Sequence, residues 1–465
     1  MVITGKLSDL KKVTNGSLFS DKAATAEFTG LSIDTRTIAD GNLFVAIKGE
    51  LDDGHKYLRH AFDKGAGACV VQSGYEEHLP AEYRDRCLIV NDTQKGLRQI
   101  ALWWKDKFNP RYIAVTGTNG KTTTKEMIAD VLAQKYNVFR SPGNYNNLFG
   151  IPLSLALLND SYEICVLEFG MSFPGEIEAL TSMVKPQVAL ITNIGPAHLE
   201  TMGTIENIAR AKFELLDHID ADSIRVLNLD DALLKARFDK EPEPKLGYAV
   251  RADAQVRPTG FSSNSLGRII FQYQGGEIHL KVPGLHTLYN ALASCAVARI
   301  FEVEFEGVRT ALQSYKGKSS RMEILELSGI TVIDDSYNAN PTSMGYALKA
   351  LSQMQAKGRK IAILGDMREL GEDEIELHHD VGSIVAEINP DRLITAGRLG
   401  MHIAAGANVN GYDSSRTETF MTAEEVIEAM LPEIRDGDQI LIKASRAMQF
   451  EKIVRAFKKK QEVRS

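Results

Sequence analysis

Short apolar runs and longer amphipathic stretches follow one another along this chain, and their spacing predicts its elements. In the first ninety residues, two strand-like runs flank a helical stretch. These elements cover 43–47, 55–64 and 68–71. Another apolar run, 87–90, precedes Asp92, which is expected to cap a helix reaching Trp104. The pattern predicts a small α/β unit that ends near residue 93.

After that boundary, strand-like runs are separated by helical segments. The predicted strands cover 112–116, 164–169, 188–193 and 225–228, and the first helix covers 122–134. Strands separated by helices imply a mostly parallel sheet covered on both faces. Two closely spaced strands, 268–271 and 278–280, flank Gly275-Gly276 and predict a hairpin. An Ala-rich helix over 287–301 follows them.

The same alternation returns near Arg321 and predicts a second doubly wound domain. Its strands are predicted at 330–333, 360–364, 393–396 and 439–443, and its helices at 344–355, 372–388 and the end of the chain. A chain of 465 residues is too long for a single core. We therefore predict an α/β protein of three domains, 1–92, 93–319 and 320–465. The first would be a small α/β domain, the second a parallel-sheet domain and the third a Rossmann-like domain.

Composition narrows the class of protein. With 44% hydrophobic and 25% charged residues the chain is an ordinary globular protein, and its net charge of −7 argues against nucleic-acid or anionic-membrane binding. The four scattered cysteines are expected to be reduced core residues. The N-terminus has no signal-like pattern, and no apolar window is long enough to span a bilayer. We expect a cytoplasmic monomer with small-molecule partners, no nucleic-acid partner and no stable membrane insertion.

Residues 115–123 read V-T-G-T-N-G-K-T-T between a predicted strand and a predicted helix. Glycines in such a loop let backbone N–H groups face phosphate oxygens, a lysine reaches the outer phosphates, and a hydroxyl can hold magnesium. Val115 stands where the strict pattern has glycine, so the match is to a shortened loop. The candidate nucleotide-binding residues are Gly117, Thr118, Asn119, Gly120, Lys121, Thr122 and Thr123.

Polar side chains follow two later strands of the same predicted sheet. Glu168 ends one strand and His198 follows another, so both are expected at the carboxyl edge of the sheet, where ligands bind. An oxygen donor such as Glu168 suits Mg²⁺, whereas imidazole is a less usual ligand. Lys212 is open to two interpretations, a solvated helix lysine or a site residue.

Arg321 lies where the second and third domains meet, and it is either a hinge residue or a group that reaches a γ-phosphate. The third domain has three polar loops at strand ends, which are expected to converge on one rim. These loops are 334–341, 364–371 and 443–446.

Together these motifs resemble the Mur ligase family, the ATP-dependent amino-acid and peptide ligases of bacterial cell-wall precursor synthesis. The resemblance covers essentially the whole chain, and the phosphate loop matches the short form of the family. Glu168 and His198 match family magnesium ligands, with Thr122 in the phosphate loop. Lys212 matches a lysine that the family carbamylates with CO₂, so that it becomes an anion able to hold a second magnesium.

Further segments carry the resemblance into the other domains. The 334–341 and 364–371 loops are similar to the family member that adds D-alanyl-D-alanine, and the D-N-P-R motif of the diaminopimelate-adding member is absent. The first domain resembles a UDP-sugar-binding module, with Thr35 where the family usually has serine. Residues implied to contact substrate are Asp34, Thr35, Arg36, Lys48, Asn146, Asn147, Asn338, Asn340, Ser445 and Arg446. Asn290, Arg321 and Asp335 are implied to lie near the nucleotide.

The resemblance implies an ADP-forming ligase with Lys121, His198, Lys212 and Arg321 in its catalytic machinery. Its substrates would be ATP, UDP-N-acetylmuramoyl-tripeptide and D-alanyl-D-alanine, and its cofactor magnesium. Two alternatives stay open, a related ligase resembling folylpolyglutamate synthase and a nucleotide-switched binding protein with little turnover. The 34–36 segment argues against the first alternative. The sequence leaves the third residue of the acceptor peptide, lysine or diaminopimelate, undecided.

Overall fold

The computed structural model describes residues 2–49, 52–76, 79–327 and 329–462. The chain forms two compact units. The first contains the chain up to Ala114, Tyr136–Met171 and Glu176–Gln187, and the second contains Val115–Lys135, Ser172–Gly175 and the chain from Val188 onwards. No helix in these described ranges is both long and apolar enough to cross a bilayer.

Strands and helices alternate along most of the chain. The strands are β1 Thr4–Lys6, β2 Ser17–Leu18, β3 Glu27–Thr29, β4 Leu31–Ser32, β5 Leu43–Val45, β6 Ala68–Gln72, β7 Cys87–Val90, β8 Arg111–Thr116, β9 Val138–Arg140, β10 Ile164–Glu168, β11 Val188–Ile191, β12 Ile224–Asn228, β13 Lys245–Tyr248, β14 Gly260–Ser263, β15 Arg268–Tyr273, β16 Gly276–Pro283, β17 Glu323–Leu327, β18 Ile330–Asp334, β19 Lys360–Gly365, β20 Arg392–Ala396, β21 Thr417–Phe420 and β22 Gln439–Lys443. The helices are α1 Leu7–Thr14, α2 Leu58–Asp63, α3 Thr93–Lys105, α4 Lys121–Leu132, α5 Gly150–Leu155, α6 Glu176–Val184, α7 Leu199–Met202, α8 Ile205–Asp217, α9 Ala232–Phe238, α10 Leu285–Ile300, α11 Phe305–Ser314, α12 Pro341–Gln353, α13 Glu374–Ile388, α14 Gly400–Val409, α15 Ala423–Glu433 and α16 Glu451–Glu462.

The first unit contains a five-stranded sheet in the order β2-β7-β6-β5-β4, parallel except for β2. Its central strands are apolar throughout because both faces are covered. Phe44 and Cys69 face one core, and Leu43 and Val70 face the other. In the same unit β9 pairs parallel with β10. The small α/β unit predicted for the first ninety residues is confirmed.

The second unit begins with the phosphate-loop segment, and strands β11 to β16 also belong to it. There β11, β12 and β13 pair in parallel, and β14, β15 and β16 form an antiparallel sheet. The predicted hairpin is present, and its turn places Gln274 and Gly275 at positive φ. The buried helix α10 follows.

The last part of the second unit is a six-stranded sheet in the order β17-β18-β22-β19-β20-β21. Only β17 runs antiparallel, so the predicted doubly wound arrangement is confirmed. Asp334 at the end of β18 pairs with Ile442 of β22. The polar loops after these two strands therefore start side by side.

Local capping explains several helix ends, including two that the sequence pattern did not predict. The Asp92 carboxylate accepts the backbone N–H groups of Gln94 and Lys95, as predicted. The predicted 55–64 helix begins instead as a 3₁₀ turn, because Asp53 accepts the His55 N–H. Likewise α12 begins at Pro341, earlier than predicted, because Asn340 caps it.

The four cysteines, all within the described ranges, are buried and none forms a disulfide. Two of them, Cys69 and Cys87, are paired across β6 and β7 in the five-stranded sheet. They fill core positions as small apolar residues, as expected from the sequence.

Candidate active site

The phosphate-loop segment lies between the end of β8 and the start of α4. Gly117 and Gly120 have φ of +142° and +79°, and a Cβ on them would lie 2.0 Å from Thr192 Oγ1 and 2.5 Å from Asn290 Oδ1, respectively. Both positions therefore require glycine, for the backbone conformation and for the close approach. Asn290 Oδ1 also accepts the Thr124 hydroxyl at 3.2 Å, so Asn290 packs directly against this loop.

The loop is held from the segment after β11. The carbonyl of Asn119 accepts the Thr192 hydroxyl at 2.6 Å and the Asn193 side-chain amide at 3.0 Å, and the Asn193 amide oxygen accepts the Asn119 N–H at 2.9 Å. Thr118 exchanges hydrogen bonds with Gly195, whose N–H it accepts at 3.0 Å. Sequence reasoning missed Thr192 and Asn193, although a polar run directly after a buried strand was a usable signal.

Lys121 opens α4 and folds back over the loop. Its Nζ donates to the carbonyl oxygens of Gly117 and Thr118 at 2.9 and 3.1 Å. Thr122 is buried beside it, and Thr123 is half-buried. The buried Nδ2 of Asn119 has no hydrogen-bond acceptor among the described residues. An ammonium group and a free amide donor in one glycine loop suit an anionic phosphate chain.

Lys212 lies on α8, which begins where the Thr204 hydroxyl accepts the Asn207 N–H. Its side chain is only 3% exposed. In the described part of the chain no hydrogen-bond or ion-pair partner is found for it. Burial, reinforced by the positive charge of Lys121, holds the pKa of Lys212 well below its usual range. Lys212 is therefore a buried amine whose charged form is disfavoured, and the interpretation as a solvated lysine is wrong.

His198 is held by a residue of a third-domain loop that the sequence reasoning did not single out. Its Nδ1 lies 2.6 Å from Glu369 Oε2, and the Glu369 carbonyl accepts the Glu200 N–H at 3.2 Å. The hydrogen bond with His198 holds the pKa of the Glu369 carboxyl below its usual range. Because Nδ1 is engaged, Nε2 is the ring atom left for another partner.

The loop after β18 also contacts the phosphate loop. The Asn340 side-chain amide donates to Asn119 Oδ1 at 2.9 Å, from the capping position of α12. Lys443, which is 2% exposed at the end of β22, donates to Asp335 Oδ2 and to the Asn338 carbonyl at 2.9 Å. Sequence reasoning placed Asp335 and Asn338 on one rim but missed Lys443 as their partner.

The remaining third-domain candidates lie around Tyr337. The Cζ atoms of Arg321 and Arg446 lie 3.9 and 5.7 Å from the centre of its ring. Ser445 is buried, and its hydroxyl accepts the Arg368 N–H at 2.8 Å. The Ser445 hydroxyl therefore holds the backbone at Arg368. The guanidinium N–H groups of Arg321 and Arg446 remain largely available to bind other groups.

The first unit holds the other predicted substrate residues. Asp34 pairs with the exposed Arg36 at 2.7 Å, which holds the pKa of the Asp34 carboxyl below its usual range. Thr35 lies between them, half-buried, and Lys48 is exposed. A polar pair of the same unit lies nearby in sequence. His55 donates from Nδ1 to Asp53 at 2.6 Å.

The asparagine pair of the first unit has two separate roles. The Asn146 amide donates to Glu168 Oε1 at 2.8 Å, and Glu168 is buried. The Asn147 side chain accepts the N–H groups of Phe149 and Gly150, where α5 begins. Within the described ranges no three His, Cys, Asp or Glu residues are grouped as a metal site.

Comparisons with known proteins bear on this site. Residues 115–298 match the family described as Mur ligase middle domain, and residues 320–446 match Mur ligase, glutamate ligase domain. The UDP-N-acetylmuramoyl-tripeptide–D-alanyl-D-alanine ligases of Bacillus subtilis and Escherichia coli are 33% and 31% identical to this chain. Each alignment covers 98% of both proteins.

Solved structures give the same picture. A crystal structure of MurF from Acinetobacter baumannii has a TM-score of 0.86 and 27% identity, over 98% of this chain and 99% of that one. MurF ligase from Thermotoga maritima, in complex with ADP, has a TM-score of 0.80 and 28% identity, over 96% and 100% of the two chains. The resemblance inferred from the sequence motifs is confirmed over the full length.

Proposed function

This chain belongs to the Mur ligase family, and from that premise we propose that it joins D-alanyl-D-alanine to UDP-N-acetylmuramoyl-tripeptide in peptidoglycan precursor synthesis, forming ADP and phosphate. The observation that carries this proposal is the full-length relation to curated ligases of that name. The contact between the phosphate loop and the third-domain loop, from Asn119 to Asn340, supports it. It places the loop that follows β18 against a candidate nucleotide site.

The reaction needs two bond changes in sequence. A peptide carboxylate oxygen bonds to the γ-phosphorus of ATP, and ADP leaves. The dipeptide amine then attacks the acyl-phosphate carbonyl, loses a proton and expels phosphate. In the first step two anions approach each other, with a repulsion of about 1 kcal/mol at contact in water and more in a dry site. We propose that Lys121 and Arg321 offset this repulsion.

Magnesium would add charge neutralisation at the phosphates. We propose that Thr122, His198 through Nε2, and a carbamate on Lys212 hold it, while the part of Glu168 stays a prediction from the sequence. The burial of Lys212 and the lowered pKa of its amine support the carbamate, because only an uncharged amine adds to CO₂ and both favour that form. That addition forms an N–C bond and releases a proton, and it replaces a potential cation with an anion beside Lys121.

We propose a division of work along the chain. Residues 1–92 bind the UDP-sugar through Asp34, Thr35, Arg36 and Lys48, residues 93–319 bind ATP, and residues 320–465 bind the dipeptide. Asn146, Asn147, Asn338, Asn340, Ser445 and Arg446 are proposed to contact or position substrate, and Asn290 and Asp335 to position the nucleotide. Because ATP and UDP-linked precursors are cytoplasmic compounds, we propose that the reaction takes place in the cytoplasm. We also propose that the enzyme is a monomer.

Glu369→Gln tests the support given to His198. Removing the carboxylate charge weakens the hold on Nδ1, and we expect the magnesium concentration for half-maximal activity to rise roughly tenfold. The measurement is initial rate against magnesium at saturating ATP. Glu372→Gln, an exposed change in the same segment, is the matched control and should leave the curve in place. An unshifted curve for Glu369→Gln would assign Glu369 to structure alone.

The proposed function is tested by phosphate release with ATP, magnesium, UDP-muramoyl-tripeptide and D-alanyl-D-alanine, and with each omitted in turn. We expect sustained release only in the complete mixture. Replacing UDP-muramoyl-tripeptide and D-alanyl-D-alanine by folate and glutamate tests the alternative of a related ligase. If no mixture releases phosphate although the protein still binds nucleotide, the chain would be a nucleotide-switched binding protein. Acceptor peptides with lysine or diaminopimelate at the third position settle that choice.

A further inference from the structure

Arg321 lies in a turn with an unusual backbone. Its neighbours Ser320 and Met322 have φ of +60° and +53°, in the left-handed region that residues other than glycine usually avoid. Two groups of the next loop hold this turn. Asp335 Oδ1 accepts the Met322 N–H at 3.1 Å, and the Tyr337 N–H donates to the Ser320 carbonyl at 3.0 Å. The turn that presents Arg321 is therefore fixed by the loop that carries Tyr337.

The ring of Tyr337 is shared by two guanidinium groups. Arg321 lies over it at 3.9 Å, and Arg446 lies at 5.7 Å, both measured from Cζ to the ring centre. Arg446 follows β22 and Tyr337 follows β18, and these strands are paired neighbours in the sheet. An aromatic face attracts cations at such distances, so the ring offsets the repulsion between the two arginines.

The two acids that precede Tyr337 pair with other groups and not with these arginines. Asp335 accepts Lys443, and Asp334 accepts the hydroxyls of Ser320 and Ser336. The Arg321 guanidinium has no hydrogen-bond or ion-pair partner in the described part of the chain.

Arg446 is only loosely held by an acid. Its side chain is 64% exposed, and its ion-pair distance to Glu451 is 3.7 Å. Planar guanidinium groups stacked on a ring keep their N–H edges free, and those edges match carboxylate and phosphate oxygens.

We propose that Tyr337 is a positioning residue that holds Arg321 and Arg446 over one ring, so that two anionic groups are bound side by side. This assignment rests on the proposed function. Arg321 would bind the acyl phosphate, and Arg446 would bind the carboxylate of the incoming dipeptide. Tyr337 itself contacts the arginines and not the reacting atoms. Its ring, and not its hydroxyl, carries this role.

The test compares Tyr337→Leu with Tyr337→Phe, which keeps the ring, using D-alanyl-D-alanine and its C-terminal amide as substrates. The amide lacks the negative charge that Arg446 would bind, so the ratio of kcat/KM for acid over amide reports that contact. We expect Tyr337→Leu to lower this ratio roughly fivefold and Tyr337→Phe to stay within about twofold of wild type. The kcat for the amide should also fall in Tyr337→Leu, since Arg321 loses the same ring.

Thermal unfolding of both variants shows whether they fold. If Tyr337→Leu does not fold, the same measurements are made on Tyr337→Met. An unchanged ratio in the variant that lacks the ring overturns the proposal. So does an equal loss in Tyr337→Phe, because the hydroxyl would then carry the effect. If the wild-type enzyme releases no phosphate with either dipeptide, the proposed function itself fails, and this role fails with it.

Discussion

Lys121→Ala is expected to lower kcat/KM for ATP by roughly 1,000-fold, the loss typical when a preorganised positive group is removed from a phosphoryl-transfer site. The lysine ammonium is held by the carbonyls of Gly117 and Thr118 inside the glycine loop. Alanine leaves the loop backbone intact but removes the cation that offsets the approach of two anions. Steady-state phosphate release across a range of ATP concentrations measures the effect.

The matched control is Lys235→Ala on α9, where the lysine is half-exposed and pairs with Asp239 four residues on. That change should leave kcat/KM within about twofold, because exposed helix pairs contribute little. Thermal unfolding should show that Lys121→Ala folds. If Lys121→Ala kept more than about a tenth of wild-type activity, the assignment of residues 117–123 to the phosphates would be wrong.

Lys212→Ala is expected to lower kcat by roughly 100-fold or more, since it removes the residue proposed to carry a metal-binding carbamate. A small anion such as formate can enter the space left by the side chain and replace part of the lost charge. Added formate, and to a smaller degree chloride, should therefore restore part of the activity of the alanine variant. Rates with and without formate, at fixed ionic strength, measure this rescue.

Arg210→Ala provides the control for that experiment. Arg210 is exposed on the same helix, so the variant should keep its activity and respond to formate as wild type does. Burial and the charge of Lys121 lower the pKa of the Lys212 amine, which favours its uncharged form. Carbamate formation releases a proton and is therefore favoured as pH rises. Because the carbamate loses CO₂ reversibly, wild-type enzyme depleted of CO₂ should regain activity when bicarbonate is added. Full activity of Lys212→Ala would remove Lys212 from the site.

The strands and the phosphate loop were predictable because their signals are local. Buried strands such as β5 and β6 are short apolar runs, and the glycine loop of 117–120 combines spacing with a strand before it and a helix after it. Helix α12 begins at Pro341 because Asn340 caps it, and the 3₁₀ turn before α2 begins at Gly54 because Asp53 caps it. Such choices depend on geometry that periodicity does not encode.

Contacts between distant loops were not predictable from one sequence. Glu369 reaches His198, and Lys443 reaches Asp335, only after the chain has folded. The motifs singled out the loops 334–341, 364–371 and 443–446, but not which side chain in each loop makes the contact. The ambiguity of Lys212 had the same origin, because only the folded structure distinguishes a solvated lysine from a buried one.

The central claim is that this chain activates the tripeptide carboxylate as an acyl phosphate before the dipeptide amine attacks it. The most direct measurement uses UDP-muramoyl-tripeptide labelled with oxygen-18 in its terminal carboxylate, with ATP, magnesium and D-alanyl-D-alanine, and mass spectrometry of the products. We predict released phosphate that carries one labelled oxygen and an amide product that retains the other. Phosphate without label, released alongside the amide product or without it, would contradict the acyl-phosphate route.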